Sequence, residues 1–177
     1  MHHAQPSPTA CEPLHADATG HDPVIIPGPD PPLERPSPED PFQDQYCFFY
    51  GTLQDPDTLR QVLGWPRSPP ILRRARVFGY EIQLWGPCPA LVDKPCHSVN
   101  GMVSEPLSTI QLDRLAAYET DRYRRQSCSI EILNDDDEVV KTIEGVCFVW
   151  NGPLDKLRAG KFDLKEWRKD KLLQMLD

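Results

Sequence analysis

The sequence predicts an α+β domain with a curved or closed, antiparallel-rich sheet. Three observations support this prediction. An aromatic run over residues 46–50 ends at a glycine and precedes a capped helical segment. A second capped segment begins at Ser108, and two alternating apolar and polar runs lie between residues 127 and 150. Strands on both sides of a few short helices are typical of this class, and 177 residues suit one domain of ordinary size.

The first 45 residues differ in composition from the rest of the chain. They hold eleven of the twenty prolines and eight acidic residues against one basic residue, Arg35, and therefore carry seven of the eight net negative charges. They also offer few large apolar side chains to bury. Because such segments cannot build a packed core, we predict a disordered, acidic, proline-rich tail over residues 1–45 and a folded domain over residues 46–177.

Charge and hydropathy limit the partners of this chain. A net charge of -8 disfavours nucleic acid and anionic membrane surfaces, because both reward a clustered positive patch. Residues 1–20 lack the basic start and apolar run of a secretory signal, and no stretch approaches the roughly twenty apolar residues that span a bilayer. We therefore predict a cytoplasmic protein whose six cysteines stay reduced. The sequence contains no heptad pattern and yields no prediction of oligomeric state.

The first element predicted is a buried strand over residues 46–50, followed by a loop and a helix. The strand ends at Gly51, Asp55 is a good N-cap followed by a proline, and Gly64 can close the helix. Gly51 permits close backbone approach, Thr52 adds a hydroxyl, and free N-H groups at the start of a helix can hold a carboxylate. An ordinary tight connection would use the same glycine, so the spacing alone leaves both interpretations open.

The segment over residues 71–105 has an extended rather than a helical pattern. Residues 76–84 alternate loosely, and we predict that Pro87 and Pro89 interrupt the strand. The extended pattern resumes over residues 99–105.

The clearest local prediction is a helix from residue 109 to about residue 119. Ser108 and Gln111 have the spacing of a capping box, in which each residue satisfies a backbone N-H near the other. Leu107 and Leu112 have the spacing of a hydrophobic staple across the same helix start.

The end of this helix supplies a candidate general acid/base. Leu112, Leu115, Ala116 and Glu119 fall at i, i+3, i+4 and i+7, which places Glu119 on the face that the leucines need to bury. Burial disfavours a charged carboxylate and would raise its pKa toward the neutral range. The alternative is that the side chain turns outward and pairs with one of the arginines that follow, namely Arg122, Arg124 or Arg125.

Two alternating runs, residues 127–133 and 138–150, flank an acidic loop and predict a β-hairpin. Asp163 and Glu166 then have the spacing that starts a last helix.

The only histidine in the predicted domain is His97. A Ser-His-Asp site would require it, but no Gly-x-Ser-x-Gly motif accompanies it. His97 could also bind zinc together with Cys88 and Cys96, but a fourth ligand at usable spacing is missing. We therefore predict no metal site.

Taken together, these residues resemble the gamma-glutamylcyclotransferase-like superfamily, including its plant avirulence-induced and gamma-glutamylamine cyclotransferase branches. The resemblance covers roughly residues 46–150 and implies a compact α+β fold on a small mixed β-barrel with a few flanking helices. Three segments carry it in order: the aromatic strand into Tyr50-Gly51-Thr52-Leu53; Asn100-Gly101-Met102-Val103; and Leu112-Asp113-Arg114-Leu115 with Tyr118-Glu119 and Tyr123-Arg124-Arg125.

The resemblance also implies an enzyme with a small-molecule γ-glutamyl substrate and no cofactor. The α-amino group of the substrate would attack its own γ-carbonyl, closing 5-oxoproline and releasing an amine or amino acid. Glu119 would be the catalytic residue, taking a proton from the ammonium and delivering one to the departing amine. The implied substrate-binding residues are Tyr50, Gly51, Thr52, Leu53 and Tyr123.

Two residues differ from the pattern of the family, and the preference for a leaving group stays undetermined. Thr120 follows Glu119 where many relatives have glycine, and Gln54 follows the loop where gamma-glutamylamine enzymes often carry lysine. Fold likeness does not name a substrate. Two alternatives therefore stay open: a catalytically silent binding or regulatory module with the acidic tail as its partner-facing element, and a related acyl-transfer or cyclisation enzyme with a pathway-specific substrate.

Overall fold

The computed structural model describes residues 43–66, 68 and 70–174, so all but the last three residues of the predicted tail over residues 1–45 lie outside the described residues. In the described chain five strands close into a barrel with the order β1-β3-β2-β4-β5. β1 runs antiparallel to β3 and parallel to β5, which makes the barrel mixed and confirms the predicted α+β class. The strands are β1 Tyr46–Phe49, β2 Arg73–Trp85, β3 Cys88–Val103, β4 Tyr123–Leu133 and β5 Val139–Trp150.

Three α-helices of the described residues flank the barrel and begin at the predicted caps. α1 (Pro56–Leu63) starts at Asp55, whose carboxylate accepts a 3.0 Å hydrogen bond from the N-H of Thr58, and it ends at Gly64 in the left-handed conformation. α3 (Leu164–Gln174) starts at Asp163, which accepts from the N-H groups of two residues that follow it. No helix in the described ranges is long and apolar enough to cross a membrane.

α2 (Thr109–Glu119) confirms the predicted capping box. The Ser108 hydroxyl accepts from the N-H of Gln111, and the Gln111 side chain accepts from the N-H of Ser108 at 2.9 Å. Leu112 and Leu115 are buried against the outside of the barrel. The apolar face of this helix therefore fixes where its last residue, Glu119, lies.

The predicted interruption of the strand at Pro89 is wrong. Pro87 does lie in the turn between β2 and β3, but Pro89 is part of β3 and faces Leu84 of β2. The N-H and C=O of Leu84 bond the backbone of Arg158, at 2.8 and 2.9 Å, and so point away from Pro89. The missing N-H of Pro89 therefore removes no bond from this ladder.

β1 separates two apolar clusters because its side chains alternate across the sheet. Phe48 points into the barrel, where it packs with residues such as Val77 and Ile130. Cys47 and Phe49 point outward into the cluster formed with α1 and α2. The loop that follows β1 consequently lies where the end of the barrel meets these two helices.

The predicted hairpin is formed by β4 and β5, and β4 starts four residues earlier than expected, at Tyr123. This extension pairs Tyr123 with Trp150 at the same end of the barrel as the loop after β1. Gln45 lies outside the named strands and forms two backbone hydrogen bonds with Leu107, at 2.9 and 2.8 Å.

Candidate active site

A cavity of about 260 Å³ opens at the end of β1. The loop after β1, the end of α2, the start of β3 and single residues of β4, β5 and α3 line it. It brings together the residues singled out from the sequence, which are Tyr50, Gly51, Thr52, Leu53, Glu119 and Tyr123.

Tyr50 is buried at the floor of this cavity, with 7% of its surface exposed. Its hydroxyl donates a 2.6 Å hydrogen bond to the carbonyl oxygen of Phe148. Burial raises the pKa of this hydroxyl well above its ordinary value, and the nearby Glu119 raises it further. Tyr50 is therefore a neutral side chain that ties the start of the loop to β5.

The loop itself is a single 3-10 turn over Thr52–Gln54. The N-H of Gln54 donates to the carbonyl of Gly51 at 3.1 Å, and the N-H of Asp55 donates to the carbonyl of Thr52 at 3.0 Å. The N-H groups of Thr52 and Leu53 precede these bonds and, like the first donors of any helical turn, have no acceptor within the turn. They are the backbone donors available to a ligand at this end of the cavity.

A hydroxyl pair joins the loop to α2. The Oγ1 atom of Thr52 lies 3.1 Å from the phenolic oxygen of Tyr118, the residue before Glu119. This contact places the loop and the end of α2 on the same side of the cavity.

Glu119 is partly buried, and its carboxylate has no hydrogen-bond or ion-pair partner within the described chain. Burial raises its pKa from 4.5 to about 7. The arginines that follow do not form the outward pair considered above: Arg122 lies 4.0 Å from Asp121 and over the ring of Trp85. The carboxyl group is thus set in the cavity and is half protonated near neutral pH.

Two further groups share the low-dielectric space around Glu119. The hydroxyl of Tyr123 donates to the carbonyl of Pro89 at 3.0 Å, and its ring meets Trp150 edge-on at 5.6 Å. Burial raises the pKa of Tyr123 and of Cys88, and the charge of Glu119 raises both further. Ionising these groups next to the carboxylate is unfavourable, so Glu119 is the group in this set that titrates closest to neutrality.

Thr120 has an unusual backbone conformation directly after Glu119. Its φ of 63° and ψ of -172° lie in a region that glycine adopts easily and that a β-branched residue adopts only with strain, at a cost of about 1–3 kcal/mol. Its N-H still donates to the carbonyl of Ala116 at 3.0 Å and closes α2. The chain therefore keeps a glycine-like turn after Glu119 with a threonine in place.

No role follows from the sequence for the aromatic residues at the mouth of the cavity, Trp85, Tyr118 and Trp167, although Tyr118 belongs to a segment that carries the resemblance. They lie near the end of β2, in the last turn of α2 and in α3.

The zinc site considered for His97 with Cys88 and Cys96 is not assembled. No group of three metal-ligating side chains occurs among the described residues. The pairing of β2 with β3 shifts register between residues 93 and 98 of β3, and His97 lies in this bulge. Its Nδ1 atom is 3.1 Å from the carbonyl oxygen of Pro95.

Comparisons with known proteins identify relatives of this chain and of its fold. A family model described as gamma-glutamyl cyclotransferase, AIG2-like, matches residues 47–169. The AIG2-like protein A of Arabidopsis thaliana is 28% identical over 133 residues, which are 73% of this chain and 76% of the relative.

Two solution structures of Arabidopsis thaliana proteins share the fold. The first has a TM-score of 0.55 and 22% identity, and the alignment covers 76% of this chain and 78% of that protein's chain. The second has a TM-score of 0.54 and 24% identity, and the alignment covers 76% of this chain and 89% of that protein's chain.

Proposed function

Because this chain belongs to the gamma-glutamyl cyclotransferase, AIG2-like family, we propose that it is an enzyme that cyclises a γ-glutamyl amide or peptide. The products are 5-oxoproline and a free amine or amino acid, and Glu119 is the general acid/base. One observation carries this proposal: a carboxyl group with a pKa of about 7 and no partner among the described residues lies in a cavity, beside a turn whose first N-H groups have no acceptor within the turn. The proposed substrate is a small molecule, and the proposed location is the cytoplasm.

The reaction needs one group that first accepts and then donates a proton. The Glu119 carboxylate takes a proton from the α-ammonium group of the substrate, and the resulting amine attacks the γ-carbonyl carbon. A new C-N bond closes the five-membered ring, and the old C-N bond to the leaving group breaks. Glu119 returns the proton to the departing nitrogen, and the ring nitrogen loses its second proton to the released amine, which leaves as an ammonium ion. A carboxyl group with a pKa near 7 suits both steps, because neither protonation state is strongly favoured.

In this proposal the loop orients the glutamyl unit of the substrate. The N-H groups of Thr52 and Leu53 would hold the α-carboxylate of the glutamyl unit, and Gly51 lets the backbone come close to it. Tyr50 and Tyr123 would form walls of the same pocket, since their hydroxyls are already bonded to backbone carbonyls. Fixing the two ends of the glutamyl chain favours ring closure through proximity.

The proposal is tested by incubating the full chain with a panel of γ-glutamyl amides, amines and peptides and measuring 5-oxoproline. Release from at least one substrate is the expected result. A complete lack of release over the whole panel would contradict the proposed function.

We expect kcat/KM to rise as the pH increases through about 7. The free enzyme must hold Glu119 as the carboxylate to accept the first proton, and burial raises its pKa from 4.5 to about 7. Below this pH the protonated form dominates and the rate falls about tenfold per pH unit. Rates measured from pH 5 to 9 with one substrate check this, and a rate that stays level down to pH 5 would contradict a base with a raised pKa.

Replacing Gly51 with alanine should lower kcat/KM by about 10- to 100-fold, because the loop backbone must move. A Cβ atom at this position would lie 2.7 Å from Cγ of Pro89, and the ring of Pro89 cannot swing away. The carbonyl of Pro89 also holds Tyr123, so the shift reaches the opposite wall of the cavity. Steady-state kinetics of the variant, with circular dichroism as a check on folding, measure this effect.

Removing residues 1–42 should leave kcat/KM unchanged within about twofold, since every described residue that lines the cavity follows position 47. Gln45 should be kept because it is hydrogen-bonded to Leu107. Loss of activity on truncation would favour a role of the tail in the function of the domain.

A further inference from the structure

The cavity changes character from its floor to its mouth. Its floor is built from buried residues, among them Phe48, Tyr50 and Phe148, which are 1%, 7% and 3% exposed. Its mouth is lined by Trp85 and Tyr118, which are 36% and 42% exposed, together with the half-buried Trp167. Exposed aromatic rings around one opening are not needed for folding and are typical of a binding surface.

The direction of the substrate follows from the proposed function, on which this inference rests. The glutamyl carboxylate lies at the loop donors of Thr52 and Leu53, and the reacting carbonyl lies at Glu119. The group attached to the γ-nitrogen then has to continue outward, past Tyr118, to the mouth. A second cavity of about 490 Å³ shares Tyr118 and Trp167 with the first, so there is room for a large group beyond the reacting centre.

Trp167 is held in place although α3 is otherwise largely exposed. The Nε atom of Arg168 is 2.7 Å from a carboxylate oxygen of Asp55, the residue that follows the loop. The ammonium group of Lys171 donates to the hydroxyl of Thr58 at 2.8 Å and lies 5.0 Å from the centre of the Trp167 ring. These contacts fix the ring against the same loop that we propose holds the glutamyl unit.

The charges around these rings favour one class of aromatic group. The guanidinium of Arg122 lies 5.4 Å from the centre of the Trp85 ring, and Lys171 lies over Trp167. Each ring therefore already carries a cation of the protein, which disfavours a second, cationic ligand and favours a carboxylate. Asp121 lies 4.0 Å from Arg122 and is 94% exposed, so water screens this pair, and Asp170 lines the second cavity together with Lys171.

We propose that Trp85, Tyr118 and Trp167 form a leaving-group subsite for an aromatic side chain, so that the preferred substrates are γ-glutamyl derivatives of aromatic amino acids. The ring of the leaving amino acid packs among the three aromatic side chains. Its carboxylate faces Arg122 and Lys171.

The test compares γ-glutamyl-phenylalanine with γ-glutamyl-alanine. We expect kcat/KM for the phenylalanine compound to be about 10- to 100-fold higher, mainly through KM, because the ring leaves water for an apolar pocket. Trp167→Ala and Trp85→Ala should each reduce this ratio to a few-fold, whereas Trp167→Phe should keep most of it. Lys169→Ala is the matched control on the same helix, since Lys169 pairs only with the exposed Glu166 among the described residues.

A third substrate, the γ-glutamyl amide of phenethylamine, keeps the ring and lacks the carboxylate. It should react several-fold less efficiently than γ-glutamyl-phenylalanine. An equal or higher efficiency would overturn the role of the two cations. Equal efficiencies of the phenylalanine and alanine compounds, or a ratio that survives both tryptophan substitutions, would overturn the subsite while the proposed function stands.

Binding to Glu119→Gln, measured by calorimetry, separates this inference from the proposed function. Tighter binding of γ-glutamyl-phenylalanine than of γ-glutamyl-alanine, without 5-oxoproline release by the wild type, would support the subsite and contradict the enzyme. Equal binding of the two compounds would overturn the subsite whether or not the wild type turns over.

Discussion

Glu119→Gln should reduce 5-oxoproline release by about 10²–10⁴-fold, with little change in the affinity for substrate. The amide has nearly the same shape as the carboxyl group, so it occupies the same place at the end of α2. It can neither take the proton from the α-ammonium group nor return one to the leaving nitrogen. Steady-state kinetics on the most active substrate of the panel measure the loss.

Glu105→Gln is the matched control for this variant, because Glu105 is exposed and does not line the cavity. It should keep the wild-type rate. Wild-type activity in Glu119→Gln would remove Glu119 from the mechanism, and the proton transfers would then need another group.

The same variant should be at least as stable as the wild type above pH 7. The folded-state pKa of Glu119 is raised above its ordinary value, so the folded protein binds this proton more tightly than the unfolded chain does. The wild type therefore gains stability as the pH falls from about 7 toward 4.5, and the advantage of glutamine shrinks over the same range. Urea unfolding at pH 8 and pH 5 distinguishes loss of chemistry from loss of folding.

Gly101→Ala should destabilise the domain by about 3 kcal/mol, because β1 and β3 lie too close to admit a side chain. A Cβ atom on Gly101 would lie 2.2 Å from the carbonyl oxygen of Phe49 and 2.7 Å from the ring of Phe48. Neither neighbour can yield, since one is backbone and the other is buried in the barrel. The effect is measured as a lower midpoint of unfolding in urea or on heating.

Gly86→Ala provides the comparison for this prediction. Gly86 has a positive φ of 58° and open space around it, so alanine there tests backbone strain without a clash. We expect a loss of about 1 kcal/mol. If the two substitutions destabilise the protein equally, a steric clash between β1 and β3 does not explain the effect at position 101.

Elements with short-range signals could be predicted from the sequence. The start of α2 depends on Ser108 and Gln111, three residues apart, and its capping box is present in the structure. The caps of α1 at Asp55 and Gly64 are equally local and are also confirmed. Such signals survive because the residues that satisfy each other are neighbours in the chain.

The path of β3 could not be predicted because it depends on a distant partner. Pro89 is compatible with the strand since Leu84 bonds the backbone of Arg158 on its other side. Nothing near Pro89 in the sequence contains this information. The local sequence therefore predicts a break at Pro89, although the ladder requires no N-H group at this position.

The candidate site also contains residues that the sequence identifies and residues that only the folded structure brings together. Glu119 stood out because a carboxylate on an apolar helix face is a local anomaly, and the Gly51 loop stood out through its turn chemistry. The aromatic mouth is assembled from three separate elements, and only closure of the barrel and docking of α3 bring Trp85 and Trp167 to one opening. Their roles, like that of Glu119, are proposals for experiment.

The most direct measurement is a titration of the Glu119 carboxyl carbon by ¹³C NMR, with Glu119→Gln used to assign the signal. A midpoint near pH 7 that coincides with the acidic limb of kcat/KM is the result we predict. A midpoint near the ordinary value of 4.5 would mean that the side chain is solvated, and it would contradict the assignment of Glu119 as the general acid/base.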